Sequence, residues 1–308
     1  MNEDQTAVKG DLAPIVLFIY NRPEHTRKTL EALNQNQFAD RSILYVFADG
    51  PKEDASADEL KLIEGARNII RDGKWCKEVY LTCREKNMKL EDNIIEGVGE
   101  VINRHGKAIV LEDDLISSPY FLRYCNEGLL MYKDRKQVYA INSFMYPINF
   151  GIGASTFLSP IATFSWGWAT WADRWNQLER NPEYIEVIEK NPFLKNRFDW
   201  ADLDKMYMLK QMNTWDIRWY YTAFIRNGLG LFPTKSLIQN IGFDGSGTHT
   251  GNEQMPQDLY TLPISMQLHE TINLDHYSKF LDFFKTPPVS AVQKVKNKVK
   301  RLIRLKFF

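Results

Sequence analysis

Residues 14–20 read PIVLFIY and run directly into Asn21-Arg22-Pro23. An unbroken apolar, β-branched and aromatic run leaves no face for water, the pattern of a strand buried on both sides of a parallel sheet. Pro23 suits the first turn of a helix, and Leu30, Ala32 and Leu33 give the segment out to Asn34 an apolar face. A second strand is predicted over Ile43–Ala48, stopped by Asp49-Gly50-Pro51, and a second amphipathic helix over Ala57–Arg71. A short strand (Glu78–Thr82), a helix (Leu90–Arg104) and a strand (Ala108–Leu111) carry the alternation to Glu112-Asp113-Asp114. This order predicts an α/β fold with a mostly parallel central sheet flanked by helices, whose ligands bind beyond the carboxyl ends of the strands.

Past Pro119 a helix is predicted over Tyr120–Lys133, short strands and long aromatic-rich loops over residues 138–175, helix over Asn191–Arg226 and loop over Gly228–Gly251. The 308 residues are 44% apolar and 25% charged, which excludes a disordered or fibrous chain. Thirty-nine Lys and Arg balance thirty-nine Asp and Glu, but the balance is uneven along the chain. Seven basic residues (Lys294, Lys296, Lys298, Lys300, Arg301, Arg304, Lys306) and no acidic one lie between Ala291 and Phe308, so a basic tail follows an acidic body. Cys76, Cys83 and Cys125 are odd in number and lack CxxC spacing, which argues against a disulfide framework or zinc site and for a reducing compartment. The first residues form no basic-then-apolar leader, and no window reaches the roughly 18 apolar residues that span a bilayer. A chain neither exported by that route nor transmembrane is expected.

Three adjacent carboxylates at a strand exit are costly unless neutralised, and a divalent cation with oxygen ligands does so. A solvated acidic turn or a helix N-cap explains Glu112-Asp113-Asp114 equally well. Asp49-Gly50-Pro51 alone reads as a turn. In a parallel sheet, however, Asn21, Arg22, Asp49 and the triplet leave the same edge. That set suits a nucleoside diphosphate, with Arg22 on phosphate, a cation on the diphosphate and Asp49 on base or ribose. Neither GxxxxGK[ST] nor GxGxxG occurs, which disfavours an ATPase, kinase or dehydrogenase.

Together, the first strand with Asn21-Arg22-Pro23, Phe47-Ala48-Asp49-Gly50, Val110-Leu111-Glu112-Asp113-Asp114 and Ser118-Pro119-Tyr120-Phe121 resemble GT-A glycosyltransferases. The group containing N-acetylglucosaminyltransferase I, with its Glu-Asp-Asp metal motif, is the most similar. The resemblance continues through Phe164-Ser165-Trp166-Gly167-Trp168 with Trp175 and through Trp215-Asp216 with Trp219, covering about residues 14–250. It implies Asp114 as ligand to Mn²⁺ or Mg²⁺ on the nucleotide diphosphate, with Glu112 and Asp113 at ribose or sugar. Arg22, Asp49 and Asn87 would sit on the donor nucleotide, and Asp216 would be the general base. The family pattern Trp-Asp-Asp-Trp is here Trp215-Asp216-Ile217-Arg218-Trp219, with the second acid missing. A salt bridge from Asp216 to Arg218 or Arg226 is the structural alternative.

Of the tryptophans, Trp171 and Trp175 are expected along one helical face. Trp166-Gly167-Trp168 is the expected site element, with Trp168 on the sugar and Gly167 letting backbone approach a ligand. His249, in Asp244-Gly245-Ser246-Gly247-Thr248-His249-Thr250, completes the metal or diphosphate shell if the resemblance holds, and is otherwise a solvated loop residue. His25, His105, His269 and His276 read as surface residues. In the tail, Val292, Val295, Val299, Leu302 and Ile303 recur at helical spacing, the pattern of an in-plane helix on anionic lipid. A disordered terminus or a nucleic-acid arm is the alternative, the latter disfavoured by the acidic body.

The expectation is therefore a catalytic domain over 1–286, nucleotide-sugar-binding over about 12–135 and acceptor-side over about 136–286, with an amphipathic tail over 287–308. Its activity would be inverting, metal-dependent transfer from a UDP-sugar to a glycan or lipid-linked glycan in cell-surface polysaccharide or glycoconjugate synthesis, on the cytoplasmic face of a membrane. A non-catalytic carbohydrate-binding or scaffold protein and a sugar-nucleotide pyrophosphorylase are the alternatives.

Overall fold

The computed structural model describes residues 11–200, 204–212, 214–245 and 257–285. β1 (Ile15–Ile19) is buried along its whole length, and Pro23 opens α1 (Pro23–Asn34). β2 (Ile43–Ala48), α2 (Ala57–Asp72), β3 (Glu78–Cys83), α3 (Lys89–His105) and β4 (Lys107–Glu112) complete the alternation. Ser56 caps α2 by accepting from the Glu59 amide at 3.1 Å, and Gly106, at φ 77°, ends α3 in the left-handed geometry that favours glycine. Next come β5 (Leu115–Ser117), α4 (Phe121–Met131), β6 (Val138–Asn142), β7 (Thr156–Ser159), β8 (Trp168–Trp171) and α5 (Ala172–Trp175). The remaining elements are α6 (Ile185–Lys190), α7 (Pro192–Phe198), α8 (Lys205–Gln211), α9 (Trp215–Ile225), β9 (Leu229–Pro233), β10 (Ile238–Asn240) and α10 (Leu274–Phe284).

Eight strands form one sheet in the order β3-β2-β1-β4-β8-β6-β9-β7, and only β8 and β7 run against the other six. This is the mostly parallel α/β sheet read from the alternation. β5 and β10 pair separately, Leu115 opposite Asn240. Alternate residues of the first strands face opposite layers. Ile15, Leu17, Leu44 and Val46 join Leu30, Leu33, Ala66 and Ile69 of α1 and α2, whereas Val16, Phe18, Tyr45 and Phe47 join Ile94, Val98 and Val101 of α3. A third cluster gathers Phe157, Phe198, Tyr221, Phe232 and Phe280.

Several expectations change. Asn191–Arg226 is not one helix. Within it, α7 starts on Pro192 with the Asn191 side chain as cap, and α8 and α9 each begin anew. The expected loop over 228–251 contains β9 and β10, because β9 pairs with both β6 and β7. Gly230 reads as a loop residue in isolation, but a Cβ there would stand 2.2 Å from the Ala162 carbonyl oxygen. Trp171 and Trp175 do not share a helical face. Trp171 ends β8 and donates from Nε1 to the Leu129 carbonyl at 3.2 Å, while Trp175 lies in the opposite layer. The four histidines read as surface residues all have neighbours. His105 pairs with the Tyr45 hydroxyl at 2.9 Å, His269 with Thr156 at 3.0 Å and His25 with Asp244 at 3.2 Å, and His276 is buried against Phe150 and Phe157. The tail and His249 lie outside the described residues. Among the described residues no helix is long and apolar enough to cross a membrane.

Candidate functional site

Register assembles the site. In β1, β2 and β4, Ile19 stands opposite Ala48 and Phe18 opposite Glu112, so Asn21-Arg22, Asp49 and the acidic triplet leave one edge of the sheet. Arg22 Nη2 donates to Asp113 and, at 3.0 Å, to Asp114 Oδ2. Its Nη1 is buried without an acceptor among the described residues. Burial pushes the Glu112 carboxyl well above the usual carboxylate range, reinforced by the charges of Asp114, Asp113 and Asp216 and opposed by Arg22. Burial raises Asp113 likewise, against Arg22. One guanidinium thus faces several carboxylates in a poorly solvated corner, where a further cation would favour their charged forms.

Among the described residues no group of three or more His, Cys, Asp or Glu side chains is arranged to cage a metal. The carboxylates present still fit a divalent ion that arrives with a diphosphate, since such ions take one or two protein carboxylates and fill the remaining positions with phosphate and water oxygens. Sequence reading missed Gly242. It follows β10 directly past Asp114, and a Cβ there would meet Asp114 Oδ2 at 2.3 Å. The Ile241 amide also donates to the Asp114 carbonyl at 2.8 Å.

Asp49, just after β2, and Asn87, between β3 and α3, are hydrogen-bonded into one corner. Asp49 Oδ1 accepts from the Gly50 and Met88 amides, both at 2.8 Å, and Asn87 Nδ2 donates to the Gly50 carbonyl at 3.0 Å. The Lys86 backbone lies 2.4–2.6 Å from where a Gly50 Cβ would be, so this close approach requires glycine. Burial raises the Asp49 carboxyl, and its backbone hydrogen bonds oppose that. Asn21 Nδ2 turns to Glu59 at 3.4 Å, beside the Tyr20 hydroxyl on the same oxygen at 2.9 Å.

β8 enters the sheet at the same edge, Trp168 opposite Val110, which brings the 163–167 turn beside Glu112. Trp168 itself is 1% exposed, stacked on Trp215 at 5.4 Å and packed with Trp175 at 5.3 Å and Trp219 at 6.3 Å. Its expected place on a sugar is corrected to a place in the core, because strand alternation turns it into the α3 and α9 layer. Gly167 has φ 65°, and a Cβ would stand 2.5 Å from Ile238, so its bend makes room for a core side chain rather than a ligand. Trp166 keeps partial exposure, edge-on to Phe144 at 4.6 Å and to Phe243 at 5.6 Å.

Asp216 lies in the first turn of α9, where Oδ1 accepts from the Thr214 hydroxyl. Arg218 pairs with Glu91 and Arg226 with Glu179, so neither salt bridge offered as the alternative for Asp216 forms. Asp216 lines a cavity of about 150 Å³ walled by Phe144, Tyr146, Phe164, Trp166, Trp200 and Tyr220, with Thr163, Ser165 and Lys205 as its other polar members. Lys205, at the start of α8, carried no signal in the sequence. Its Nζ lies 5.6 Å from the Trp200 ring centroid.

No family model matches this chain, and no curated protein matches it. Solved structures that it resembles include glycosyltransferases, each at 12% identity or less. A Pyrobaculum calidifontis mannosyltransferase in complex with GDP-Man and Mn²⁺ is 12% identical at TM-score 0.33, over 55% of this chain and 49% of that one. Residues 1–349 of S. aureus TarS are 10% identical at TM-score 0.35, over 73% and 59%. The bifunctional glycosyltransferase WbbM in its apo form is 11% identical at TM-score 0.33, over 70% and 38%. The chain thus spans roughly half the length of the first two. Likeness at this level assigns no activity.

Proposed function

We propose that the protein is an inverting, metal-dependent glycosyltransferase that moves a sugar from a nucleoside diphosphate donor, UDP by preference, to a hydroxyl of a glycan or lipid-linked glycan acceptor in cell-surface polysaccharide or glycoconjugate synthesis. One observation carries the reading: the charged edge holding Arg22, Asp49 and Glu112-Asp113-Asp114 adjoins an aromatic cavity that contains Asp216. Donor chemistry and acceptor chemistry thereby meet, and the Asp216 charge reaches Glu112.

On the donor side, the unpaired Nη1 of Arg22 is a donor suited to a phosphate oxygen. Asp114 would hold the Mn²⁺ or Mg²⁺, with His249 as a further ligand, and Glu112 and Asp113 would contact ribose or sugar. Asn21, Asp49 and Asn87 would frame the nucleoside. When bound, the ion supplies Lewis-acid stabilisation of the departing diphosphate. On the acceptor side, Asp216 takes the hydroxyl proton as the oxygen attacks the anomeric carbon. Thr214 holds one carboxylate oxygen, leaving the other for that proton. A single base suffices, because the diphosphate leaves as an anion and needs no protonation, unlike the sugar oxygen in glycoside hydrolysis. The tail would hold the enzyme on anionic lipid at the inner face of a membrane, near a lipid-linked acceptor.

The test is release of UDP from a panel of UDP-sugars with Mn²⁺ or Mg²⁺. Metal-dependent release is expected from one member, with Asp114→Ala slowed at least a hundredfold. Absence of release from every donor, or an Asp114→Ala variant equal to wild type, would favour a non-catalytic carbohydrate-binding protein.

A further inference from the structure

Lys205 and Asp216 face the same aromatic cavity without forming a salt bridge. Asp216 has its hydroxyl partner in Thr214, whereas Lys205 has neither an ion pair nor a hydrogen bond among the described residues, only the Trp200 ring. The other cations around this region are engaged: Arg22 by Asp113 and Asp114, and Arg218 by Glu91. Burial pushes the Lys205 ammonium down from its ordinary value and the Asp216 charge opposes that, so the group is partly desolvated and electrostatically undercompensated. A lysine in this position costs stability unless an anion meets it. The cavity, about 150 Å³, presents a wall of aromatic rings against which a sugar ring can pack.

We propose that this cavity takes an acceptor sugar carrying an anionic substituent, a carboxylate or a phosphate, and that Lys205 reads it. The proposal rests on the transferase reading of Asp216 and narrows its substrate class. Asp216 repels an anion, so the substituent stands on the Lys205 side of the ring and the reacting hydroxyl on the Asp216 side. Lys205 is thus a specificity-determining residue: it discriminates charged from neutral acceptors and leaves the donor steps alone.

The experiment is titration of tryptophan fluorescence, in the presence of UDP and Mn²⁺, with methyl glucuronide and methyl galacturonide as carboxylate probes, glucose 6-phosphate as the phosphate probe, and methyl glucoside and methyl galactoside as neutral controls. At least tenfold tighter binding of one charged class is expected, and which class it is separates a uronic acid from a sugar phosphate. Lys205→Gln should abolish the preference and Lys205→Arg retain it. Equal binding of charged and neutral sugars, binding of none, or a preference that survives in Lys205→Gln overturns the proposal. If Lys205→Gln does not fold, the wild-type comparison of isosteric glucuronide and glucoside still decides. UDP release without acceptor is read in parallel. If it fails while the charge preference holds, the transferase reading falls and the anion site stands. If release proceeds with no preference, the acceptor proposal alone falls.

Discussion

Asp216 sits where a single oxygen atom matters. Its Oδ1 is held by the Thr214 hydroxyl, and the expected arginine partners are bound elsewhere, to Glu91 and Glu179. Asp216→Asn keeps the shape and removes the basicity, so sugar transfer should fall by about 10² to 10⁴ fold while donor affinity, measured by titration with the UDP-sugar, stays within about twofold. Undiminished transfer would remove the base assignment. At this scale the sequence was informative about carboxylates, since charge at a strand exit is conspicuous whatever surrounds it. It was silent on Gly242 and Lys205, whose roles come from neighbours distant in the chain: Asp114 beneath one, Trp200 and Asp216 around the other. It misplaced Trp168 because an indole suits a sugar and a core equally, and only the strand's orientation decides between them.

Elements, rather than single groups, hold Asp216 against the sheet. Trp168 on β8, Trp175 on α5 and Trp215 and Trp219 on α9 form one packed set, with Trp175 and Trp219 at 5.1 Å, and the Arg218–Glu91 pair ties α9 to α3. Trp168→Ala should therefore cost about 3–5 kcal/mol, read as a shift in the denaturant midpoint. A variant of unchanged stability but lost sugar affinity would return Trp168 to the sugar. β1 to β4 and α1 to α4 were legible within one or two residues, because buried parallel strands and amphipathic helices write strong periodicities, whereas β5, three residues paired only with the distant β10, was not read. The later part was less so. α7, α8 and α9 share a helical composition but each starts at its own N-cap, Asn191, Asp204 and Thr214, and β9 exists because β6 and β7 enclose it.

For the molecule as a whole, the uneven charge of the chain carries the membrane proposal. Near an anionic surface each basic residue contributes about 1 kcal/mol, so the seven of the tail can hold the body reversibly. Deletion after Pro288 should release the protein from phosphatidylserine vesicles in a sedimentation assay and leave UDP release in solution unchanged. Undiminished sedimentation would remove the claim. The place of β8 in the sheet has a consequence for synthesis. It lies between β4 and β6, yet it leaves the ribosome after both. Until Trp168–Trp171 has emerged, the apolar edge of β4 has no partner and β6 has no place to dock. The nascent chain therefore passes through an interval in which Ala108–Leu111 is an open strand edge, and the charged corner at Glu112-Asp113-Asp114 stays open until the strand that carries the aromatic cavity beside it arrives.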